Sequence, residues 1–334
     1  MAHGLSHATI IGDGAMGTVC ALLLAEHGTP ATLWGAFPEQ IAELARDREN
    51  RRFLPGYPLP PDLTVTSAAD AAFADTELAI SAVPCQYLRS VWTRLAPHVP
   101  ANVPVVSVTK GIEVETLLRP SEVIQACARV GPIVCLSGPC IGPEVAARKP
   151  AGVVVACADQ AVARRVQEAM STRYFRVYTS TDVVGLELAG AVKNVIALAA
   201  GICDGIEAGC NAKAALLTRG LVEIARLGVA MGAQVETFRG LAGIGDLVTT
   251  CISPISRNRS AGEKIGRGMS CAEVVESTRS VIEGIATTRS VLALAQKHNV
   301  EMPITRGVAS VLFEGCRPQD AIDRLMTRPL RSES

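Results

Sequence analysis

The sequence lacks a net charge, because its 334 residues contain 32 Lys and Arg and 32 Asp and Glu. Without a global field of one sign, the composition does not point to nucleic acid or to an anionic membrane surface as a partner. We therefore expect no nucleic-acid partner, and we expect any anionic ligand to be held by a local site.

The sequence also lacks the cysteine patterns of disulfide-rich and zinc-binding proteins. Its 11 cysteines are scattered without a C-x-x-C pair, and their number is odd. This argues against a disulfide framework and against a zinc ribbon. We expect no metal site, and we expect most cysteines to be small core residues in a reducing compartment.

No targeting segment and no membrane span is recognisable. The first ten residues, MAHGLSHATI, have no basic region and no long apolar run, and no later apolar run is long and polar-free enough to cross a bilayer. We expect a soluble, cytoplasmic protein, and its length suggests about two domains.

Histidine is scarce. The five histidines, at positions 3, 7, 27, 98 and 298, lie in the N-terminal tail or at predicted helix ends. Histidine is the most frequent general base in enzymes, and these positions argue against such a base here.

A nucleotide-binding motif is present near the N-terminus. The apolar run 8–11 is followed by Gly12-Asp-Gly14-Ala-Met-Gly17 and then by a helical pattern that ends at Gly28. In this arrangement the first glycine permits a tight turn, the second leaves room for a pyrophosphate, and the third lets the helix pack on the strand. The helix N-terminus supplies N–H donors to the phosphates. We predict that this turn binds a dinucleotide.

The choice between NAD and NADP is left open by the sequence. An acid at the end of the second strand, 31–35, would favour NAD, and an arginine there would favour NADP. Neither is present, since Gly35 is followed by Ala36, the nearest acid is Glu39, and a run of arginines comes only at 46–52. We expect both cofactors to work, with a preference of less than about tenfold, or 1.4 kcal/mol.

The pattern of apolar runs changes along the chain. Up to residue 180, β-branched runs alternate with helical stretches, which predicts a Rossmann-type α/β domain over 1–180 with a parallel sheet covered on both faces. From 181 to 334 the patterns are almost exclusively helical, which predicts an all-α substrate domain. Within it, 240–262 has the composition of an irregular, donor-rich loop suited to an anionic substrate. The further predicted strands are 78–84, 103–111, 132–138, 152–158 and 175–180.

The stretch 183–204 is typical of a long buried helix with few polar residues, among them Lys193 and Asn194. A buried ammonium is unfavourable unless a partner or a function holds it. A lysine can also extend out of a core on its long stem. Small neighbours such as Ala191, together with the upstream nucleotide motif, favour catalysis, and a lysine there can give a proton to a forming alkoxide.

The motifs resemble those of the bacterial-type NAD(P)-dependent glycerol-3-phosphate dehydrogenase family over nearly the whole chain. The AVKN and SRNR blocks are the most specific in this order and spacing. The matching motifs are GDGAMG at 12–17, TKG at 109–111, SGP at 137–139, GAVKNVIALAAGICDG at 190–205, GLAGIGDLVTTC at 240–251, SRNR at 256–259, VIEG at 281–284 and EMPI at 301–304.

The resemblance implies an oxidoreductase that reversibly reduces dihydroxyacetone phosphate, a small-molecule substrate, to sn-glycerol 3-phosphate for glycerophospholipid biosynthesis. The cofactor would be NAD or NADP. The implied fold is a Rossmann-type domain followed by an all-α domain like the C-terminal domain of 6-phosphogluconate dehydrogenase. The chain departs from the family's usual residues at Cys85, where the family usually has Ser or Thr after Val-Pro, and in SGPCIG, where Cys140 and Gly142 stand in place of the usual SGPTFA.

The resemblance also assigns roles to particular residues, with Lys193 as the proton donor and acceptor. The implied substrate contacts are Lys110, Gly138, Cys140, Lys193, Asp246, Ser256, Arg257 and Asn258. The implied cofactor contacts are Gly12, Gly14, Ala15, Met16, Gly17, Lys110, Gly142, Arg257, Val281 and Glu283.

Two other classes of protein are compatible with parts of the pattern. A different two-domain β-hydroxyacid or ketoacid dehydrogenase, of the hydroxyisobutyrate or ketopantoate type, would use the same lysine but needs no phosphate site, so Ser256-Arg257-Asn258 argues against it. A non-catalytic dinucleotide sensor would need the fold but not Lys193. The sequence gives no oligomeric state and leaves a homodimer open.

Overall fold

The structure is a computed structural model that describes residues 5–278, 280–330 and 332, so that His3 lies outside the described residues. The chain forms two compact units, the first of Met1–Lys110 and Leu118–Glu187, the second of Gly111–Leu117 and Leu188–Ser334. Residues 111–117, predicted with the first domain, thus belong to the second unit, where the hydroxyl of Ser290 donates to the carbonyl of Ile112 over 3.0 Å. A domain boundary at residue 180 stays a prediction.

The first unit is built on one eight-stranded sheet with the strand order β3-β2-β1-β4-β5-β6-β7-β8. In its centre, Ile10 of β1 pairs with Leu33 of β2 on one side and with Ile80 of β4 on the other. The strands are β1 (Ala8–Ile11), β2 (Ala31–Trp34), β3 (Thr64–Thr66), β4 (Leu78–Ser81), β5 (Val105–Ser107), β6 (Ile133–Ser137), β7 (Ala151–Ala156) and β8 (Phe175–Ser180).

Helices cover both faces of this sheet. Val106 and Leu136 pack into the core on one face, whereas their neighbours Val105 and Cys135 pack with Trp92 into the core on the other. The inner strands, buried on both faces, are therefore apolar at most positions, which confirms the predicted Rossmann-type α/β domain. The connecting helices are α1 (Ala15–Ala25), α2 (Pro38–Asp47), α3 (Ala69–Ala72), α4 (Leu88–Leu95), α5 (Pro120–Cys127), α6 (Gly142–Ala146) and α7 (Gln160–Met170), with a 3-10 turn at Cys85–Tyr87.

The prediction of a wholly parallel sheet was wrong at two strands, because β7 and β8 both run opposite to β1–β6. β7 runs antiparallel to β6, with Cys135 opposite Ala156, and β8 is parallel to β7. The link between β6 and β7 contains only the five-residue helix α6. Such a helix is about 7.5 Å long, too short to return along a five-residue strand of about 16 Å, so the chain folds back instead. The short edge strand β3 and the helices α2 and α3 were not predicted.

The second unit is helical throughout its regular elements, which confirms the predicted all-α domain. Its central element is α8 (Val183–Gly205), whose first residues belong to the first unit. The other helices are α9 (Gly209–Ala230), α10 (Val235–Arg239), α11 (Asp246–Ile252), α12 (Arg257–Gly266), α13 (Cys271–Glu276), α14 (Glu283–Lys297), α15 (Pro303–Phe313) and α16 (Pro318–Met326), with a π-helical turn at Leu241–Gly245.

The prediction of an irregular loop at 240–262 was wrong, because most of this segment is helical. Its glycines serve close packing, since a Cβ on Gly243 would lie 2.1 Å from the carbonyl oxygen of Phe238. Its polar residues serve helix ends, since the Ser256 hydroxyl caps α12 by accepting the N–H of Arg259. The glycines and serines of this segment therefore suggested a loop, although they serve close packing and helix capping.

The helix α8 is long and apolar enough, by length and composition alone, to cross a membrane, so the prediction that the chain has no such run was wrong. However, 89% of its most apolar window is buried inside the protein. A core helix of a soluble protein meets the same criteria, so this single helix is weak evidence for a membrane span.

Candidate active site

The G-x-G-x-x-G turn has the geometry that a dinucleotide requires. Gly12 has a φ of 112°, and a Cβ there would lie 2.8 Å from the carbonyl oxygen of Ala82. A Cβ on Gly17 would lie 1.9 Å from the carbonyl oxygen of Gly12, whereas Gly14, at the start of α1, has nothing within 4 Å of its Cβ position. The turn is therefore tight at Gly12, closely packed at Gly17 and open at Gly14, where a phosphate would approach the helix N-terminus.

The backbone of this turn is held by a residue that the sequence analysis missed. The buried side-chain amide of Asn50 donates to the carbonyl of Asp13 and to the hydroxyl of Thr18, both over 2.8 Å. The Thr18 hydroxyl in turn donates to the carbonyl of Gly14 over 3.1 Å. Nothing in the arginine-rich stretch after α2 signals this role, because the contact is made between residues 37 positions apart.

Two more of the predicted cofactor contacts lie next to each other. Gly142, the first residue of α6, lies beside α1, since a Cβ on it would be 3.7 Å from the Cβ of Ala15 and 3.7 Å from Val19. Met16 is partly buried and packs on the same core as Ala15. Because Gly142 adds no side chain beside the first turn of α1, it keeps this turn accessible, and the residues present fit a bound dinucleotide.

Lys110, Gly138 and Cys140 form a small polar cluster where β5 and β6 end. The Lys110 ammonium donates to the carbonyl of Gly138 over 3.2 Å and lies 4.0 Å from the Cys140 sulfur. The Cys140 thiol donates to the same carbonyl over 3.2 Å. Gly138 has a φ of 141°, and a Cβ there would lie 2.8 Å from Val153. The structure thus brings these three residues together at the carboxyl edge of the sheet, where ligands of such folds bind.

Lys193 is buried in α8, with only 5% of its surface exposed, and its ammonium has polar partners on α11. Its ammonium donates to a carboxylate oxygen of Asp246 over 2.5 Å and to the hydroxyl of Thr250 over 2.6 Å. Asp246 is itself 2% exposed. The carboxylate of Asp246 therefore compensates the charge of the buried Lys193 ammonium, which would otherwise be unfavourable. The position of Lys193 in a buried helix agrees with the sequence analysis, which did not predict its contact with Asp246.

Thr250 is a member of this group that the sequence analysis did not single out. Its hydroxyl donates to the carbonyl of Asp246 over 2.6 Å while it accepts from Lys193. Asp246 and Thr250 are four residues apart on α11, a spacing that places both side chains on one face of the helix. That i, i+4 spacing in DLVTTC was the available signal, but it became informative only when the segment proved to be helical.

A chain of hydrogen bonds joins α8, α12 and the start of α14. The Asn258 amide donates to the side-chain oxygen of Asn194 over 2.9 Å, and its own oxygen accepts the N–H of Gly284 over 2.9 Å. All three residues are buried. Asn258 was predicted to contact the substrate, and the structure shows that both ends of its amide already hold the protein together. A contact between Asn258 and the substrate stays a prediction, and it would have to use the second N–H of the Asn258 amide.

The helices α8 and α12 approach each other at backbone contact. A Cβ on Gly201 would lie 1.9 Å from the carbonyl oxygen of Arg259, and a Cβ on Gly262 would lie 2.0 Å from that of Leu198. Only glycine fits at these two positions. The close crossing brings the N-terminal end of α12 beside Asn194, the neighbour of Lys193 in the chain.

The first turn of α12 is suited to an anion. Arg257 is its first residue, is exposed, and follows the Ser256 N-cap. A helix N-terminus offers free N–H groups and the positive end of the helix dipole, and a guanidinium adds a charged fork that matches a phosphate. Two residues predicted to contact the cofactor lie near the start of α14. Glu283 is its first residue, Val281 comes two residues earlier, and both are partly buried.

No cluster of three or more His, Cys, Asp or Glu side chains that could hold a metal ion occurs among residues 5–278 and 280–330. Burial raises the pKa of the Cys251 thiol, next to Thr250 in the chain, to about 12, while the charge of Lys193 opposes this effect. That thiol therefore stays protonated near neutral pH.

A Rossmann-type unit with an open G-x-G-x-x-G turn, followed by a helical unit with a buried, ion-paired lysine, defines a class of nicotinamide-dependent dehydrogenases. Within this class, two family models match the chain. They are the N-terminal part of NAD-dependent glycerol-3-phosphate dehydrogenase over residues 7–163 and the C-terminal part over residues 182–323.

Individual relatives agree with these matches. The chain is 47% identical over 328 residues to the NAD(P)+ glycerol-3-phosphate dehydrogenase of Streptomyces griseus subsp. griseus, covering 98% of each chain. It is 47% identical to that of Citrifermentans bemidjiense, covering 97% of this chain and 98% of the relative. The crystal structure of glycerol-3-phosphate dehydrogenase from Coxiella burnetii matches with a TM-score of 0.93 at 37% identity, over 97% of this chain and 99% of that one. The chain belongs to the NAD-dependent glycerol-3-phosphate dehydrogenase family.

Proposed function

We propose that this protein is an NAD(P)-dependent glycerol-3-phosphate dehydrogenase, which reversibly reduces dihydroxyacetone phosphate to sn-glycerol 3-phosphate. The observation that carries the proposal is the Lys193 ammonium, buried in the helical unit and held by Asp246 and Thr250 at 2.5 and 2.6 Å. This group lies in the same unit as a helix N-terminus that carries an exposed arginine. A proton donor and an anion site are the two groups that reduction of a phosphorylated ketone requires.

The chemistry assigned to the protein is proton transfer. The dihydronicotinamide, when bound, supplies the hydride that adds to the carbonyl carbon of the substrate. Lys193 gives a proton to the carbonyl oxygen, so that hydride and proton together convert the ketone to a secondary alcohol. In the reverse direction the neutral amine accepts the hydroxyl proton. Asp246 and Thr250 fix the ammonium in one orientation, which is the pre-organisation that general acid catalysis needs.

The phosphate of the substrate is assigned to the first turn of α12. Arg257 provides a charge-assisted hydrogen bond, and the free N–H groups of the helix N-terminus provide further donors. The Ser256 hydroxyl accepts the N–H of Arg259, so its own proton is free to be donated to a phosphate oxygen. Direct substrate contacts of Lys110, Gly138, Cys140 and Asn258 remain part of this proposal.

The biological setting is also proposed. A product that is the glycerol backbone of phospholipids assigns the enzyme to glycerophospholipid biosynthesis, and the expected location is the cytoplasm. A homodimer is proposed as the assembly. Sedimentation equilibrium of the purified chain tests the assembly, because a monomer at micromolar concentration would contradict it.

The experiment that tests the proposed function compares two ketones. Oxidation of NADH or NADPH is followed at equal salt with dihydroxyacetone phosphate and with dihydroxyacetone, which differs only in lacking the phosphate. We expect kcat/KM to be at least about 100-fold higher for the phosphorylated ketone, since several charge-assisted hydrogen bonds are lost with the phosphate. Equal kcat/KM values, or turnover of a ketoacid alone, would favour the hydroxyacid dehydrogenase class instead.

A further inference from the structure

The carboxyl end of β2 is where dehydrogenases of this fold place the residue that recognises the adenosine ribose. In this chain that place is occupied by Gly35, whose missing side chain makes room for two others. A Cβ on Gly35 would lie 2.3 Å from the Cδ1 of Ile41 and 3.0 Å from the carboxyl carbon of Asp13. The space at the end of β2 therefore does contain a carboxyl group, but Asp13 brings it there from the G-x-G-x-x-G turn.

Asp13 is held in this place by its own backbone. It lies between the two glycines that shape the turn, and its carbonyl accepts the Asn50 amide over 2.8 Å. The side chain is only partly buried, so that it is accessible to a ligand. Burial raises the pKa of the Asp13 carboxyl, while a hydrogen bond from its own N–H and the charge of Arg52 oppose this effect.

The surroundings of Asp13 are more acidic than basic. A shallow depression opens beside it, and its charged lining consists of the carboxylates of Asp13, Glu43, Asp47 and Glu49 and the guanidiniums of Arg51 and Arg52. Arg51 is engaged with two of these acids, at 3.2 Å from Asp47 and 3.5 Å from Glu49. Arg46 also pairs with Asp47 over 2.8 Å, so that four carboxylates face three guanidiniums and leave a small negative excess, which disfavours an additional phosphate group.

We propose that Asp13 recognises the 2′-hydroxyl of the adenosine ribose and makes the protein selective for NAD over NADP. The carboxylate accepts the hydrogen bond of the ribose hydroxyl, and its charge repels the 2′-phosphate of NADP. The acid that is missing after β2 is thereby supplied by the glycine-rich turn, and Gly35 is the matching small residue. This inference rests on the proposed function only in requiring that a nicotinamide dinucleotide binds. It replaces the expectation from the sequence that NAD and NADP are used with a preference of less than about tenfold.

The test measures binding of NADH and of NADPH by isothermal titration calorimetry, without substrate and at one salt concentration. The wild-type protein is expected to bind NADH at least about 30-fold more tightly, since a hydrogen bond to a charged group is lost and a repulsion is gained with NADPH. Asp13→Ser and Asp13→Asn should reduce this ratio to about threefold or less, chiefly by strengthening NADPH binding. The asparagine variant keeps the size of the side chain and so separates the charge from the packing.

The matched control is Glu168→Gln, which removes one negative charge from an exposed position on α7. It should keep the wild-type ratio, because Glu168 does not line the depression and an exposed charge is screened by salt. A wild-type protein that binds NADPH as tightly as NADH would overturn the inference while leaving the dehydrogenase proposal intact, and so would an Asp13→Ser or Asp13→Asn protein with the wild-type ratio. Binding of neither dinucleotide would overturn the proposed function and this inference with it.

Discussion

The side-chain amide of Asn258 donates a hydrogen bond to the side-chain oxygen of Asn194 over 2.9 Å. Asn194 follows Lys193 in the chain, and Asn258 follows Arg257. One buried hydrogen bond thus ties the helix that carries the proposed proton donor to the helix that carries the proposed phosphate-binding arginine. Because the glycine crossing of α8 and α12 makes this distance possible, the packing and the proposed catalysis depend on the same interface.

The first prediction concerns that crossing. In Gly201→Ala the new methyl group meets the carbonyl oxygen of Arg259, which would be 1.9 Å away, so the two helices must separate. We expect the free energy of unfolding to fall by about 1–3 kcal/mol, as for other overpacked cores. We also expect kcat/KM for dihydroxyacetone phosphate to fall, since Asn258 is drawn away from Asn194. Urea unfolding and steady-state kinetics measure the two effects.

Gly307 provides the control for this prediction. It lies inside α15, and a Cβ on it would be 3.8 Å from its nearest neighbour, the Cδ1 of Leu325. With room for the methyl group, Gly307→Ala should raise the free energy of unfolding by about 0.5–1 kcal/mol, because glycine is a poor helix former. If both variants changed stability in the same direction and by similar amounts, the account of the α8–α12 contact would be incorrect.

The second prediction concerns a buried carboxyl group. Glu223 on α9 accepts the N–H groups of Ile304 and Thr305, at the start of α15, over 2.6 and 3.2 Å. Burial raises its pKa from 4.5 to about 7, although these hydrogen bonds and the charge of Arg226 oppose the effect. The unfolded chain therefore releases this proton at a lower pH than the folded protein does. The contribution of Glu223 to stability is fully present below pH 4.5 and is lost as the pH rises through 7.

The variant Glu223→Gln resembles the protonated acid at every pH, so it should not lose stability as the pH rises through 7. Relative to wild type, its free energy of unfolding should rise between pH 4.5 and 7 by an amount on the order of 3 kcal/mol. Denaturant unfolding at several pH values measures the difference, with Glu276→Gln at an exposed position as control. Parallel pH profiles for wild type and Glu223→Gln would show that the carboxyl is ionised in the folded protein at pH 5.

The third prediction concerns the substrate phosphate. Arg257→Ala should lower kcat/KM for dihydroxyacetone phosphate about tenfold or more, since a hydrogen bond between charged groups contributes about 1.5–3 kcal/mol. Turnover of unphosphorylated dihydroxyacetone, already slow, should hardly change. Arg267→Ala, which removes an exposed arginine just past the other end of α12, is the control and should leave both rates unchanged. Equal losses on both ketones would point to a structural role or to cofactor binding for Arg257.

Much of the fold could be predicted from the sequence because its signals are local. The strand 8–11, the glycine motif and the buried helix at 183–204 are each defined by residues close together in the chain, and the structure has them at those positions. The family could also be recognised from short motifs in the sequence, and the family models and relatives confirm it. The reversed strands β7 and β8 were missed because apolar runs do not encode strand direction, which is set by the length of the connection between β6 and β7.

The parts of the site that the sequence did not reveal depend on contacts distant in the chain. Asn50 holds Asp13 across 37 residues, and nothing near Asn50 marks it as part of a nucleotide turn. Thr250 was hidden because its segment was predicted to be a loop, so its helical spacing from Asp246 was not considered. The carboxyl group of Asp13 could not be predicted at the end of β2, because the fold brings it there from the glycine-rich turn.

The central claim, that Lys193 is the proton donor, is tested most directly by Lys193→Met, which keeps the length of the side chain and removes its charge. The measurement is kcat for reduction of dihydroxyacetone phosphate, with NADH affinity measured in parallel and Lys297→Met, at an exposed lysine of α14, as control. We predict that Lys193→Met folds, binds NADH as the wild type does, and loses kcat by a factor of about 10² to 10⁴, the usual contribution of a general acid. A folded Lys193→Met protein that retains a kcat near that of the wild type would contradict the account.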